Sequence, residues 1–407
     1  MFPAYYRQLA CAAFAYPAID NHAHPLLTEK HRDTLPFEGL YSEANGEALE
    51  DDSVHTLACY RSTYQLAKLF GLKKGEDNWE AVKEKRASLD YAQLCKICMQ
   101  PSGIQCILID DGLSGDRDLA EGYKWHDQYT FSPTRRIVRI EVEAQVGAIL
   151  LPLDSSTVSD LLFVVTVNFE ERIVTCANDD DVAGFKSIAC YRTGLDIAPS
   201  GTDEDVEKSL LEAWTQYKAT DEFRLKHKAL NDYLVRIVLR IAGQYKKPVQ
   251  FHTGLGDNDI TLTKSSPAHM QPVIKAFPET TFILLHSSYP YSREAGYLTA
   301  VYKNVYLDFG EIFPCLSADG QRAAVKQVLE LSPTNKLLWS TDGRWWPESF
   351  YLASIQSRQV LYDVFADCVR REELTESEAA AIVEKMLFHS SNRLYGLGLT
   401  PKLDIIM

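Results

Sequence analysis

Two histidines one residue apart, His22 and His24, sit in the segment Pro17-Ala-Ile-Asp-Asn-His-Ala-His-Pro25. In an extended strand alternate side chains share a face, so both imidazoles point the same way. Two neutral imidazoles on one strand form half of a transition-metal site. Further candidates follow short apolar runs much later in the chain: His252 after Val249-Gln-Phe251, His286 after Phe282-Ile-Leu-Leu285, and Asp342 after Leu337-Leu-Trp-Ser-Thr341. Lys186 lies within another such run, Val182-Ala-Gly-Phe-Lys-Ser-Ile188. Four of the ten histidines thus end apolar runs, whereas His31, His55, His126 and His227 fall in loops or helices, and His269 and His389 read as helix residues. Imidazoles with a carboxylate suit zinc or a similar borderline ion. A lysine ammonium cannot ligate, but carbamylation by carbon dioxide would make Lys186 an anionic carboxylate able to bridge two metals. The plainer reading of Lys186 is an ammonium that pairs with Asp342, or hydrogen-bonds substrate, beside a single ion.

The elements that must hold these residues alternate between short strands and helices. Strands are expected at 17–22, 104–109, 137–140, 182–188, 248–252, 280–286, 304–309 and 336–341, by their short buried-type apolar runs. Between and after them, helices are expected at 161–176, 202–217, 221–245, 267–277, 293–302, 320–331, 347–369 and 376–395. Such alternation implies parallel pairing with right-handed crossovers. Eight such units suggest a closed (β/α)8 TIM barrel, in which chemistry sits at the C-terminal ends of the strands. A short helix at 3–14 precedes the first strand. Residues 25–100 are too long for a strand-to-helix loop and form a mostly helical insertion, with helices at 53–70, 79–86 and 89–99. It is placed to act as a lid or an oligomer contact. Without an internal repeat or a Pro/Gly/Ser linker, residues 1–407 read as one elaborated domain.

Composition sets the outer limits. The 407 residues are 46% hydrophobic and 24% charged, enough apolar material for a large core. A formal charge of -14 and the lack of a basic run disfavour nucleic acid as a partner. No apolar run reaches transmembrane length, and Arg7 interrupts the apolar start without a basic region before it, so neither a membrane span nor a signal peptide is expected. Nine scattered cysteines suit a reducing, cytoplasmic setting, and Cys95 and Cys98 read as helix filler.

The order His-x-His, Lys, His, His, Asp on strands one, four, five, six and eight resembles the binuclear amidohydrolase superfamily. Longer strings sharpen the likeness: Ile19-Asp-Asn-His-Ala-His-Pro-Leu-Leu27, Gly184-Phe-Lys-Ser-Ile-Ala-Cys-Tyr-Arg-Thr-Gly-Leu195, Val249-Gln-Phe-His-Thr-Gly-Leu-Gly-Asp257, His286-Ser-Ser-Tyr-Pro-Tyr291, Trp339-Ser-Thr-Asp-Gly343 and Asn392-Arg-Leu-Tyr-Gly396. They are similar to the amidohydrolase-like half of fungal FluG and plant nodulin–glutamine synthetase fusion proteins. The resemblance implies that His22 and His24 bind one divalent ion and His252 and His286 another, with carbamylated Lys186 bridging. Zinc is the expected metal and manganese the alternative. Asp342 would ligate the first ion, take a proton from the attacking water and return it to the leaving amine. Lys186, His286 and Asp342 are then the catalytic set. Barrels of this kind commonly pair, which leaves a homodimer as an open expectation.

Substrate residues are sought at the same rim. Tyr191 and Arg192 follow the Lys186 strand by a few residues, and Arg can grip a carboxylate with two parallel hydrogen bonds. Tyr289, Tyr291 and Arg293 follow His286 in the same way; Arg192 is the better anion anchor, since Arg293 begins a helix and reads equally as a surface residue. A small carboxylate-bearing amide is therefore the expected substrate. By analogy with the synthetase-linked relatives, a γ-glutamyl amide or dipeptide-like compound leads. Two other functions remain open at this point, a mononuclear decarboxylase of an aromatic or unsaturated acid and a non-catalytic signalling barrel. Asp20 is read as orienting a ligand or strand; Asp110, Asp111, Asp308 and Glu311, near strand ends, read as groups supporting the ligands or, more plainly, as loop caps.

Overall fold

The computed structural model describes residues 6–113, 118–149, 157–221 and 223–403. Eight parallel strands follow one another around a barrel in chain order. They are β1 (Ala18–Ala23), β2 (Ile104–Asp110), β3 (Arg135–Arg139), β4 (Val182–Ser187), β5 (Val249–Phe251), β6 (Phe282–Leu284), β7 (Val305–Asp308) and β8 (Leu337–Leu338). The ring closes through backbone bonds from Asn21 N to Trp339 O (3.1 Å), Asp342 N to His22 O (3.1 Å) and His24 N to Gly343 O (2.7 Å). These bonds bring the first and last strands, and both His22 and Asp342, to one seam.

Every residue of β1, β2 and β4 is buried. That is the pattern of a parallel strand covered on both faces, and it explains the apolar runs in the sequence. Inside the barrel Ile19, Cys106, Leu108, Ile137 and Ala183 pack with Phe388, which plugs the end opposite the site together with Tyr16 and Tyr395. Phe388 is delivered by a wide turn, Lys385–His389, that splits the expected last helix into Glu376–Glu384 and Ser390–Leu394.

The insertion builds a separate small core. Its helices Leu57–Leu69, Trp79–Ala87 and Tyr91–Met99 are capped by Thr56, Asn78 and Asp90, whose side-chain oxygens accept backbone N–H groups of the first turn. Phe37, Tyr41, Leu66, Trp79 and Val82 pack together and lean on Trp346 and Leu352 after β8. Cys95 and Cys98 are buried and free within the last of these helices, as helix filler should be.

Several boundaries differ from the sequence expectation. The helix expected from residue 221 begins at Lys228 instead. Asp221 adopts a left-handed conformation (φ 58°) that terminates the preceding helix, Asp203–Thr220. Strand β3 ends at Arg139, and Ile140 opens a helix, Ile140–Ile149, that strand-like alternation of apolar and polar residues concealed. Glu141 and Glu143 in its first turn favour a helix start at that point. The expected helix at 3–14 is seen as Arg7–Phe14, and residues 3–5 lie outside the described residues.

Candidate metal centre

Each strand delivers a polar side chain to the same rim. His22 and His24 come from the end of β1, Asp110 from β2, Arg139 from β3 and Lys186 from β4. His252 and His286 follow β5 and β6, Asp308 ends β7 with Glu311 beyond it, and Asp342 follows β8. All of them are under 10% exposed, and His24, Arg139, Lys186, His252, His286, Glu311 and Asp342 form the floor of a cavity of about 610 Å³.

The histidines are held in metal-ready tautomers. His22 Nδ1–H donates to Gln250 Oε1 (2.8 Å), an acceptor fixed because the amide nitrogen of Gln250 donates to Asn21 O (2.7 Å). His24 Nδ1–H donates to the Asp110 carbonyl (2.9 Å). Both rings therefore turn an unprotonated Nε2 toward the centre, and each is met by Asp342 Oδ1, at 3.4 Å and 3.5 Å. His252 donates from Nε2 to Leu255 O (2.8 Å), which leaves Nδ1 as its electron-pair donor. His286 lies beside it with ring centroids 4.3 Å apart and the rings tilted by 53°. Fixing one ring nitrogen so that the other can ligate is the usual support for a metal-binding imidazole.

Electrostatics favour a cation. Burial, reinforced by the Lys186 charge, holds His22 and His252 well below the usual imidazole range, so both stay neutral. Burial also brings Lys186 down to about 8, against the pull of Asp110. Its Nζ lies 3.1 Å from His22 Nε2. His286 Nδ1 and Nε2, Asp342 Oδ1 and Glu311 Oε2 are buried without a hydrogen-bond partner. Orphaned donor atoms of nitrogen and carboxylate oxygen, gathered in one place, are what a divalent ion of the zinc type requires. Three overlapping groups have donor atoms within 4.8 Å of one another: His22/His286/Asp342, His22/His24/Asp110 and His252/His286/Glu311. The donor set fits the ions expected from the sequence.

Asp20 and Asp308 set the frame. Asp20 accepts from the N–H of Thr341 (2.9 Å) and from its hydroxyl, which fixes the turn that carries Asp342. Asp308 accepts from Asn21, Ser340, Gly310 N and His286 N, tying β1, β6, β7 and β8 together below the site. Asp110 does cap its loop through Gly112 N, but it also takes two hydrogen bonds from Arg139, at 3.0 and 2.6 Å. Against the cost of burial, that guanidinium holds the Asp110 carboxyl at about 2. Reading Asp110, Asp308 and Glu311 only as loop caps is therefore corrected, since all three face or brace the centre. Asp111 turns outward to Arg136 (2.7 Å).

Of the expected substrate residues, Tyr191 and Arg192 line the cavity, and Tyr191 packs on His252 with centroids 4.5 Å apart. Arg293 does not reach it. Its side chain is 66% exposed and pairs with Glu330 at 2.8 Å on the outer surface. Tyr289 packs half-buried against the outer core and is absent from the cavity wall among the described residues. The reason is the left-handed turn through His286, Ser287 and Ser288, which sends the chain out to the peripheral helix Ser292–Val301. Sequence reasoning passed over Arg139, Arg344 and Glu43. Arg139 was hidden by the extra strand residue assigned after it; its place at a strand terminus was the available signal. Arg344 binds Glu43 of the insertion and lies 3.7 Å from Asp342, a long-range arrangement with no local signature. Residues 35, 36, 39, 42–45 and 49 of the insertion wall the cavity, in keeping with a lid.

Residues 200–397 match the sequence pattern of the amidohydrolase family. Across 411 aligned positions the chain is 43% identical to the FluG protein of Emericella nidulans, covering 95% of this chain and 46% of that protein. This chain belongs to the amidohydrolase family. It spans about half the length of the curated relative it matches. A Lactobacillus casei protein classed as a metal-dependent hydrolase superposes on the amidohydrolase barrel with a TM-score of 0.79, at 25% identity over 96% of this chain and 97% of that one. A uronate isomerase from Bacillus halodurans shares the fold (TM-score 0.62, 14% identity, 96% of each chain). No helix among the described residues of this chain is long and apolar enough to cross a membrane.

Proposed function

We propose that this chain hydrolyses the C–N amide bond of a small carboxylate-bearing substrate, with γ-glutamyl amides and dipeptide-like compounds the leading class. The observation that carries the reading is that His22 Nε2 and His24 Nε2 lie 3.4 and 3.5 Å from one unpartnered Asp342 oxygen, beside a cavity lined by His24, Asp342 and Arg192. His22, His24 and Asp342 would hold one divalent ion and His252 and His286 a second. Carbamylated Lys186 would lie between them, and zinc is favoured over manganese by the imidazole-rich donor set. Ions bound there supply Lewis acidity for the amide carbonyl and lower the pKa of water toward neutrality.

The chain's own groups do the rest. Arg192 anchors the substrate carboxylate, which turns the scissile carbonyl toward the histidines. Asp342 accepts a proton from the attacking water and passes it to the departing nitrogen, so that the amine leaves neutral. Arg344, held by Glu43, keeps the Asp342 carboxylate aimed inward. The insertion residues over the cavity limit bulk water around the bound amide.

The test is turnover by the zinc-loaded protein of γ-glutamyl-p-nitroanilide and related γ-glutamyl amides, run beside aromatic carboxylates. Release of the amine with glutamate supports the reading. Carbon dioxide from the aromatic acids with no amide cleavage would replace it by the decarboxylase alternative.

A further inference from the structure

Glu311 is an acid without a visible task. It follows β7, is 3% exposed, and the only ion-pair contact found for its carboxylate among the described residues is a histidine, His286 Nδ1 at 3.2 Å. A carboxylate taken out of water without a cation is costly. The close contact does not relieve it as a hydrogen bond would, because both His286 nitrogens and Glu311 Oε2 lack a hydrogen-bond partner. Two electron-rich atoms side by side, neither bonded to the other, are arranged like neighbouring ligands of a common ion. Metal–ligand bonds of about 2.0–2.2 Å at tetrahedral to octahedral angles put adjacent donors roughly 2.9–3.5 Å apart. The 3.2 Å edge falls in that range, as do the 3.4 and 3.5 Å edges of the His22/His24/Asp342 cluster.

The backbone is set to make this arrangement. Glu311 has φ 59°, a left-handed conformation unusual for a glutamate. It follows Gly310, where a Cβ would sit 1.9 Å from Ser340 Oγ. The turn is pressed against the barrel so closely that it throws the Glu311 side chain inward over His286. Backbone held in a sparsely populated region around a buried, unpaired acid is a recurrent feature of functional sites. His252 completes the set, one of its ring nitrogens lying within 4.8 Å of donor atoms of His286 and Glu311.

We propose that Glu311 is the carboxylate ligand of the second divalent ion, completing a His252/His286/Glu311 site distinct from the His22/His24/Asp342 site. The proposal rests on the two-ion reading above and does not depend on the state of Lys186. It assigns the second site a charge of its own, so that two dications are opposed by Asp342 and Glu311, which follow the neighbouring strands β8 and β7.

The experiment is a zinc titration of metal-depleted wild type, Glu311→Gln, His252→Asn and the double variant, read as bound zinc per chain after gel filtration. Near-ultraviolet circular dichroism verifies the fold of each. Wild type should take two equivalents, and each variant, the double included, one. Two equivalents in Glu311→Gln, or one in wild type, would overturn the assignment. An anomalous-scattering map of zinc-loaded wild type gives a reading that no variant's folding can disturb. An ion bonded to Glu311, His252 and His286 supports the site, and a second ion that leaves Glu311 unbonded removes it. Amide turnover is scored separately. If the second ion binds through Glu311 and no amide is cleaved, the site stands while the hydrolase reading falls.

Discussion

Replacing Arg192 by methionine isolates the step that selects the substrate. The guanidinium lines the cavity, and its Nε is buried without a hydrogen-bond partner. Burial lowers its pKa, opposed by the Glu141 charge, and none of the ion pairs found at this rim claims it. It is therefore a cation with donors to spare. Two charge-assisted hydrogen bonds to a substrate carboxylate at such a half-buried place should contribute about 3 kcal/mol in all. Loss of that amount corresponds to a rise of about a hundredfold in KM. On the proposed role the gripped carboxylate takes no part in bond breaking, so most of the loss should fall on KM, with a smaller drop in kcat from the poorer aim of the scissile carbonyl. Arg224 at the same rim is the comparison, since it is 39% exposed and already bound to Asp259 at 3.1 Å. Its methionine variant should move KM by less than about threefold. The assay is steady-state release of p-nitroaniline from the γ-glutamyl anilide and from the 4-aminobutyryl anilide, which has the same amide and no carboxylate. Wild type should prefer the first, and Arg192→Met should treat the two alike. An unchanged KM for the γ-glutamyl compound, or equal losses on both substrates, would refute the carboxylate anchor.

Three further outcomes follow from the same geometry. Asp342→Asn should lower kcat by roughly a factor of 10²–10⁴, the span of a general base lost from a positioned site. Single-turnover rates with full zinc occupancy check it, and a loss below tenfold would take the proton-transfer role from Asp342. His126 is fully buried, receives Leu26 N–H on Nε2 (3.1 Å), and is held down to about 4 by burial. The unfolded chain binds this proton from about 6.5 downward and the folded one only near 4. The neutral ring's contribution is thus whole above pH 6.5 and is lost as pH falls toward 4, by about 3 kcal/mol. The stability gap between wild type and His126→Gln, from urea midpoints, should shrink across that window; a gap constant from pH 7 to 4.5 would sink the assignment. At Gly184 a Cβ would lie 2.6 Å from the Pro248 carbonyl oxygen, on the edge where β4 pairs with β5. Gly184→Ala should cost about 1–3 kcal/mol and weaken zinc binding through the displaced Lys186 and His252; an unaltered melting temperature would show that the strands can part freely.

What the sequence determined by itself was the set of strand-end residues and the architecture that gathers them. Parallel strands buried on both faces must be apolar runs, and in a barrel of strand-helix units function collects where those runs stop. His22, His24, Lys186, His252, His286 and Asp342 could therefore be picked out one by one, and the structure brings all of them to one rim. The helix Ile140–Ile149 was concealed because Ile140-Glu-Val-Glu-Ala-Gln-Val146 alternates apolar and polar residues, the period of a strand and not of a helix.

Only the tertiary structure decided which residues near those strand ends face inward. Arg293 and Tyr289 follow His286 as closely as Tyr191 and Arg192 follow Lys186, yet the left-handed turn at His286–Ser288 carries the first pair outside. Glu311 has the sequence appearance of a loop residue, and its burial, its unpaired oxygen and its approach to His286 arise from the fit of one turn against the neighbouring strand. Arg344 and Glu43 meet across 301 positions of chain. The physical reason is one of range. Burial pattern and hydrogen-bonding period are written into neighbouring residues, whereas the direction of a side chain after a strand ends depends on backbone turns and on contacts with segments hundreds of residues away.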